Sequence, residues 1–144
     1  MKALRDDPAL IPSAVEEMLR YDPTATASLP RNATEDLTLG GVDIRRTDAV
    51  VVSWAATNRD PRRFAQPDTF DIRRGDSNHI TFAHGIHYCL GAPLARLESQ
   101  IAFASLLARC QDIQLAIPPD ELSYRVTPNL RSLTALPITF TPVP

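Results

Sequence analysis

The segment "FAHGIHYCLG", Phe82 to Gly91, gathers one cysteine, two histidines and two glycines into ten residues. Cys89 stands just before a helical pattern led by Ala92 and Pro93. A helix N-terminus presents unpaired N–H groups and partial positive charge, which lower a thiol pKa and favour thiolate. Gly85 and Gly91 remove side chains on both sides of the cysteine, so that something large and flat can approach the backbone. Phe82 is placed to lie over such a group or against the sulfur. The local chemistry is that of an outward-facing thiolate beside a roomy, apolar, glycine-cleared surface.

Other readings of these residues stay open. A lone cysteine at a helix start is commonly a buried structural residue. His79, His84, His87 and Cys89 are all potential zinc ligands, although their spacing matches no usual finger or ribbon. A nucleophilic cysteine with a histidine base would need a cleft and an orienting group.

The elements that must position this loop are legible in outline. Residues 1–22 hold the first helix, "PSAVEEMLRY": Pro12 suits a first helical turn, Val15, Met18 and Leu19 form an apolar stripe, and Pro23 ends it. By pattern alone Glu17 and Arg20, three apart on the opposite face, are a solvated pair. Residues 23–58 carry β-branched runs broken at Gly40-Gly41 and Thr47-Asp48, which read as short strands and hairpins. A short helix at most opens the stretch from Ala55, and residues 59–78 are irregular, rich in proline and charge. The cysteine loop takes residues 79–91. Residues 92–110 predict a long buried helix, apolar on nearly every side in its second half. Residues 111–144 alternate and carry six prolines, as short antiparallel strands do. The fold class is α+β, with residues 1–144 as one domain.

Composition narrows the function. Apolar residues at 44% and charged residues at 22% are ordinary for a chain with a packed core. A net charge of −2 lacks the basic bias of a nucleic-acid binder. No window offers the ~18 apolar residues of a membrane span, and "MKALRDDPAL" has no signal-peptide apolar core. Cys89 and Cys110 match no disulfide framework and suit a reducing compartment. The expectation is a cytoplasmic protein with no nucleic-acid and no membrane partner.

"FAHGIHYCLG" resembles the haem-binding loop of the cytochrome P450 family: an aromatic, two glycines, a basic residue, Cys and Gly at fixed offsets. The continuation agrees, with Gly91, Ala95 and Glu98 where that pattern has Gly, Ala and Glu. The resemblance implies haem b as cofactor and Cys89 as its axial thiolate. It implies His87 on a haem propionate, Phe82 near the sulfur, and Ala83 where glycine is more frequent. "EEMLR" resembles the family's Glu-x-x-Arg motif, which implies that Glu17 and Arg20 are buried and tie their helix to the meander before the loop. The third basic residue of that network is absent at Thr69 in "PDTF", leaving Arg73 or Arg74 as substitutes. Arg31 resembles an arginine that pairs with the other propionate, which a guanidinium suits by donating two parallel bonds.

The resemblance covers essentially the whole chain but only the carboxy-terminal part of the family's fold. It implies a haem-thiolate monooxygenase with a small-molecule organic substrate and a ferredoxin-type electron donor. Arg62, Arg63, Arg73, Arg74 and Arg96 would supply a positive patch to steer that donor. The long central helix with the proton-delivering acid–alcohol pair and the substrate loops are not found in these residues. The isolated chain is therefore expected to be inactive or weakly active and to self-associate through exposed apolar surface. The alternative is a truncated, non-enzymatic haem-binding or structural module.

Overall fold

Asp7 and Pro8 divide the helical start of the chain. The computed structural model describes residues 1–76 and 78–143. Helix α1 (Lys2–Asp6) stops where Asp7 takes an extended φ of −140°. The Asp7 carboxylate then accepts a bond from the Ala9 N–H at 3.2 Å, capping a 3-10 turn over Pro8–Leu10. Helix α2 (Ile11–Tyr21) follows, with proline in its first turn. The single helix expected over residues 1–22 is thus two, because Pro8 lacks the N–H that would continue the ladder.

Helix α2 buries Ile11, Ala14 and Val15 against Leu4 and Leu107, with Met18 and Leu19 partly covered. Among the described residues, four two-stranded antiparallel sheets complete the architecture. Strand β1 (Arg31–Asn32) pairs with β4 (Ala49–Val50), and β2 (Leu37–Leu39) with β3 (Val42–Ile44). Gly40 and Gly41 join β2 to β3 with φ of 59° and 82°, a two-residue turn that side chains other than glycine rarely adopt. Helix α3 (Trp54–Thr57) is capped by Ser53. Helix α4 (Ala92–Arg109) runs directly into β5 (Cys110–Leu115), which pairs with β8 (Ile138–Pro142). Strands β6 (Tyr124–Val126) and β7 (Arg131–Leu133) form the last hairpin. The expected α+β arrangement is the observed one.

One expectation fails in its detail. Helix α4 is long but not buried: only Ala92 and Leu107 are fully covered, while Leu94, Leu97 and Ile101 are more than half exposed. Helices α1 and α2 pack on one side of it and β8 borders its last turns at Ala102, Leu106 and Arg109, which leaves Leu94, Leu97 and Ile101 open. Arg5 of α1 closes the far end of α4, its guanidinium donating to the Leu107 and Cys110 carbonyls. Those are among the carbonyls a helix C-terminus leaves unpaired.

The irregular stretch before the cysteine loop is held by two guanidinium groups. Glu17 and Arg20 are buried, 3% and 0% exposed, so the solvated pair read from the helical pattern is incorrect. Arg20 makes five hydrogen bonds, as many as it has N–H groups. Two go to Glu17 at 2.8 and 2.9 Å; three go to the carbonyls of Asn58, Pro67 and Thr69. Its flat face lies 5.4 Å from the buried Phe64 ring. Arg74, not Arg73, is the third basic member. It reaches Glu17 at 3.1 Å and donates to the carbonyls of Ala65, Gln66 and Thr69. Thr69 contributes its backbone oxygen to both arginines.

Burial alone would raise the Glu17 pKa, but bonds from Arg20 and the Asp71 N–H and the charges of Arg20 and Arg74 outweigh it and hold it below 4.5. An unfolded chain regains the ordinary value, so it binds the proton first as pH falls. The carboxylate's contribution to stability is therefore whole above about pH 4.5 and lost as pH falls through the lower folded value. Glu17→Gln is expected to lower stability at neutral pH by about 3–5 kcal/mol, because Arg20 keeps its charge without its partner. The variant should also lose this part of the acid dependence. Urea midpoints for both proteins from pH 7 downward check this; coincident curves would contradict it.

Candidate functional site

The cysteine loop is built from short main-chain bonds. The Ala83 N–H donates to Ile80, Tyr88 to Gly85, and Cys89 back to Phe82 at 2.8 Å. A 3-10 turn spans Gly85–His87. Two residues sit in the left-handed region, Gly85 at φ 66° and Ala83 at φ 63°. The second explains why glycine suits that position: an alanine there bears roughly 1 kcal/mol of strain. Helix α4 starts three residues after Cys89, and the Ala92 N–H donates to the Cys89 carbonyl at 3.1 Å.

Cys89 is exposed, so it is not a buried structural cysteine. Its side chain lines a cavity of about 360 Å³ together with Leu19, Ala25, Trp54, Phe82 and His87. Thr24, Thr81 and Ala83 complete the wall. Gly91 has φ −81°, open to any residue, so its backbone does not require glycine. A methyl group there would sit 3.8 Å from Cys89 Sγ, in contact with the thiol. The loop therefore offers an accessible sulfur on an apolar wall, which fits a flat apolar group with a soft metal at its centre.

The other expected residues fall in different places. His87 is exposed on the cavity wall, and no hydrogen bond joins it or His84 to Cys89 among the described residues. Ala95 lies one turn into α4, half-buried, its N–H bonded to the Gly91 carbonyl at 2.9 Å. Arg31 is exposed on β1 and does not line the cavity. The zinc reading fails on His79: its side chain is buried with Nε2 against Glu16 at 3.1 Å and Nδ1 facing the Thr81 N–H at 3.3 Å. Both ring nitrogens are occupied, and no group of three candidate ligands converges among the described residues.

The positive patch is partly cancelled. Arg62 pairs with Asp60, Arg63 with Asp76, Arg74 with Glu17 and Arg96 with Glu16. Arg73 alone of the five has no side-chain partner among the described residues. Glu17 is shared between Arg20 and Arg74, so that cluster and Arg73 keep a residual positive charge, and any steering field is weaker than five free arginines would give. A second cavity of about 230 Å³ borders Glu16, Glu17, Arg74 and Asp76, but each already has a partner: Glu17 pairs with Arg74, Glu16 with Arg96 and Asp76 with Arg63.

Four supporting residues carry no signal in the sequence pattern. Asn58 is fully buried: its amide donates to Thr81 Oγ1 at 2.8 Å, and its oxygen accepts from the Ile80 N–H at 2.9 Å. Thr81 in turn donates to the Leu19 carbonyl at 2.7 Å, fastening the loop to α2. Glu16 and Arg96, a turn inside their helices, meet at 2.6 Å behind the loop. Each looks like an ordinary surface residue until the helices are packed.

Comparison with known proteins agrees with this geometry. The family described as "Cytochrome P450" matches residues 5–122. The chain is 47% identical over 138 residues to cytochrome P450 monooxygenase PikC of Streptomyces venezuelae, covering 96% of this chain and 33% of that protein. It is 45% identical to the polyketide biosynthesis cytochrome P450 PksS of Bacillus subtilis, covering 94% and 33%. The solved structure of PksS superposes with a TM-score of 0.93 over 97% of this chain and 36% of that one, at 43% identity. The tirandamycin C-bound P450 monooxygenase TamI gives 0.92 over 97% and 35%, at 44% identity. The chain thus spans about a third of the length of the relatives it matches. It belongs to the cytochrome P450 family, whose prosthetic group is haem b.

Proposed function

We propose that this chain holds the haem of a cytochrome P450 monooxygenase, with Cys89 as the thiolate that would ligate its iron. The observation that carries this is the exposed Cys89 thiol on the wall of the apolar cavity. Haem bound through a thiolate supplies oxidative chemistry, the sulfur pushing electron density toward O–O cleavage. The chain's own residues bind and orient. Gly91 keeps the space above the sulfur clear, and Phe82 and Ala83 give the wall its apolar character. The His87 imidazole and the Arg31 guanidinium are assigned to the two propionates, and Ala95 to the close approach of α4 behind the loop. His87 at the cavity supports its part directly; Arg31 is supported by its exposure and by a guanidinium with no partner among the described residues.

Oxygenation of a small organic molecule, fed by a ferredoxin-type donor, is proposed for the protein in which this segment works with the rest of the family's fold. Its relatives named as monooxygenases are about three times as long. No described helix is long and apolar enough to cross a membrane. A cytoplasmic location rests on Cys89 and Cys110, both free thiols.

A second reading, the non-enzymatic module, is favoured by α4. Leu94, Leu97 and Ile101 repeat at helical spacing and are all more than half exposed. In isolation the chain covers this face with a second copy of itself.

Two measurements test these readings. The purified chain loaded with haem, reduced and exposed to carbon monoxide, is expected to show the strongly red-shifted Soret band of thiolate ligation. Cys89→Ala should abolish that band, since no other soft ligand lines the cavity. A shifted band that survives in the variant would rule out the assignment. Light scattering is expected to give a mass of at least two chains, and Leu97→Glu to lower it; a wild-type monomer would contradict the second reading.

A further inference from the structure

We infer that Glu16 is the positioning residue of the cysteine loop, acting through Arg96. This rests on the reading of Cys89 as the ligating thiolate. Glu16 and Glu17 are consecutive on α2, so they point about 100° apart around the helix. Glu17 serves the meander; Glu16 faces the loop. Its carboxylate accepts two bonds from one guanidinium, Arg96 Nε at 2.6 Å and Nη2 at 3.0 Å. This is the bidentate arrangement that holds an arginine in a single orientation. The remaining nitrogen, Arg96 Nη1, donates to the Tyr88 hydroxyl at 2.9 Å. The guanidinium carbon lies 4.7 Å from the centre of the Phe82 ring.

Tyr88 immediately precedes Cys89, and Phe82 supplies the carbonyl that the Cys89 N–H bonds. One guanidinium therefore touches both ends of the loop that presents the thiol. It is fixed there by a partly buried carboxylate on a different helix. His79 completes the support. Because the Thr81 N–H faces Nδ1, the ring proton is on Nε2, and it donates to Glu16. Burial pushes the His79 pKa down, keeping the ring neutral. The cluster thus carries one negative and one positive charge. The pair is largely shielded, with Glu16 18% and Arg96 27% exposed. Releasing it frees Arg96, a long side chain with several rotatable bonds, and with it the grip on Phe82 and Tyr88.

The test has one arm without haem. Hydrogen exchange of the Cys89 amide is measured in the full chain and in Glu16→Gln and Arg96→Lys. Both variants are expected to exchange at Cys89 about tenfold faster, relative to the Val15 amide in α2, on losing charge-assisted bonds. Lysine keeps the charge but loses the fork, so it should not rescue. Unchanged exchange at Cys89, or a rise shared equally by every amide, would overturn the inference. Tyr88→Phe gives the same comparison if Glu16→Gln does not fold: faster exchange at Cys89 supports the clamp, and unchanged exchange overturns it.

The second arm uses the haem-loaded chain with carbon monoxide. Glu16→Gln is expected to move part of the Soret band from the red-shifted to the unshifted position at temperatures where the variant is fully folded. An identical ratio of the two bands in wild type and variant overturns the role in presenting the thiolate. A wild-type chain that never shows the shifted band refutes ligation by Cys89, while the exchange result still decides whether the clamp exists.

Discussion

Everything near the loop depends on one buried cation. Arg20 is fully enclosed, and taking a guanidinium out of water costs several kcal/mol unless its charge and all its donors are met. Here they are met by a carboxylate on the same helix and by three carbonyls of the segment that follows α3. That segment has no ladder of its own and few apolar side chains, so it has little reason to adopt one path. The need of Arg20 for acceptors, shared by Arg74, gives it one. Breaking this arrangement would leave the residues that lead into the cysteine loop without a fixed course.

Helix α2 is the hub through which this reaches the site. Ile11, Ala14 and Val15 face the core, Glu17 and Arg20 face the meander, and Glu16 faces the loop. Leu19 contributes its side chain to the cavity and its carbonyl to Thr81. An eleven-residue helix is covered on nearly every side, yet its sequence is half polar. A hydrophobic stripe normally marks the buried face of a helix; here polar faces are also buried because each has a matched partner. The cavity wall, the loop and the irregular segment are consequently anchored to one rigid body.

The loop was the most legible part of the sequence, since its glycines and cysteine answer to local backbone and chemical needs. The hairpin at Gly40-Gly41 and the start of α2 were legible for the same reason. What stayed hidden depends on packing. Arg73 and Arg74 are equivalent on paper; a turn closed by the Arg74 N–H on the Asp71 carbonyl turns only Arg74 inward. Asn58 and Thr81 are small polar residues whose burial leaves no periodic trace. Glu16 has the same appearance as any solvated helix carboxylate until Arg96, eighty residues later, arrives opposite it. The apolar character of α4 reads as burial, but hydrophobicity names a face and not its cover, and Leu94, Leu97 and Ile101 are left open.

The Arg5 cap on α4 bears on the order of folding. Its acceptors lie 102 and 105 residues further along the chain. Closing so long a loop carries a large entropic penalty, so the bonds form only after α1, α2 and α4 have met. Interactions absent from the transition state act on the rate of unfolding and leave the rate of folding nearly untouched. If the cap is absent from the transition state, it is a latch on kinetic persistence: it delays the escape of the N-terminal helix and the release of the strand that α4 feeds, without hastening assembly.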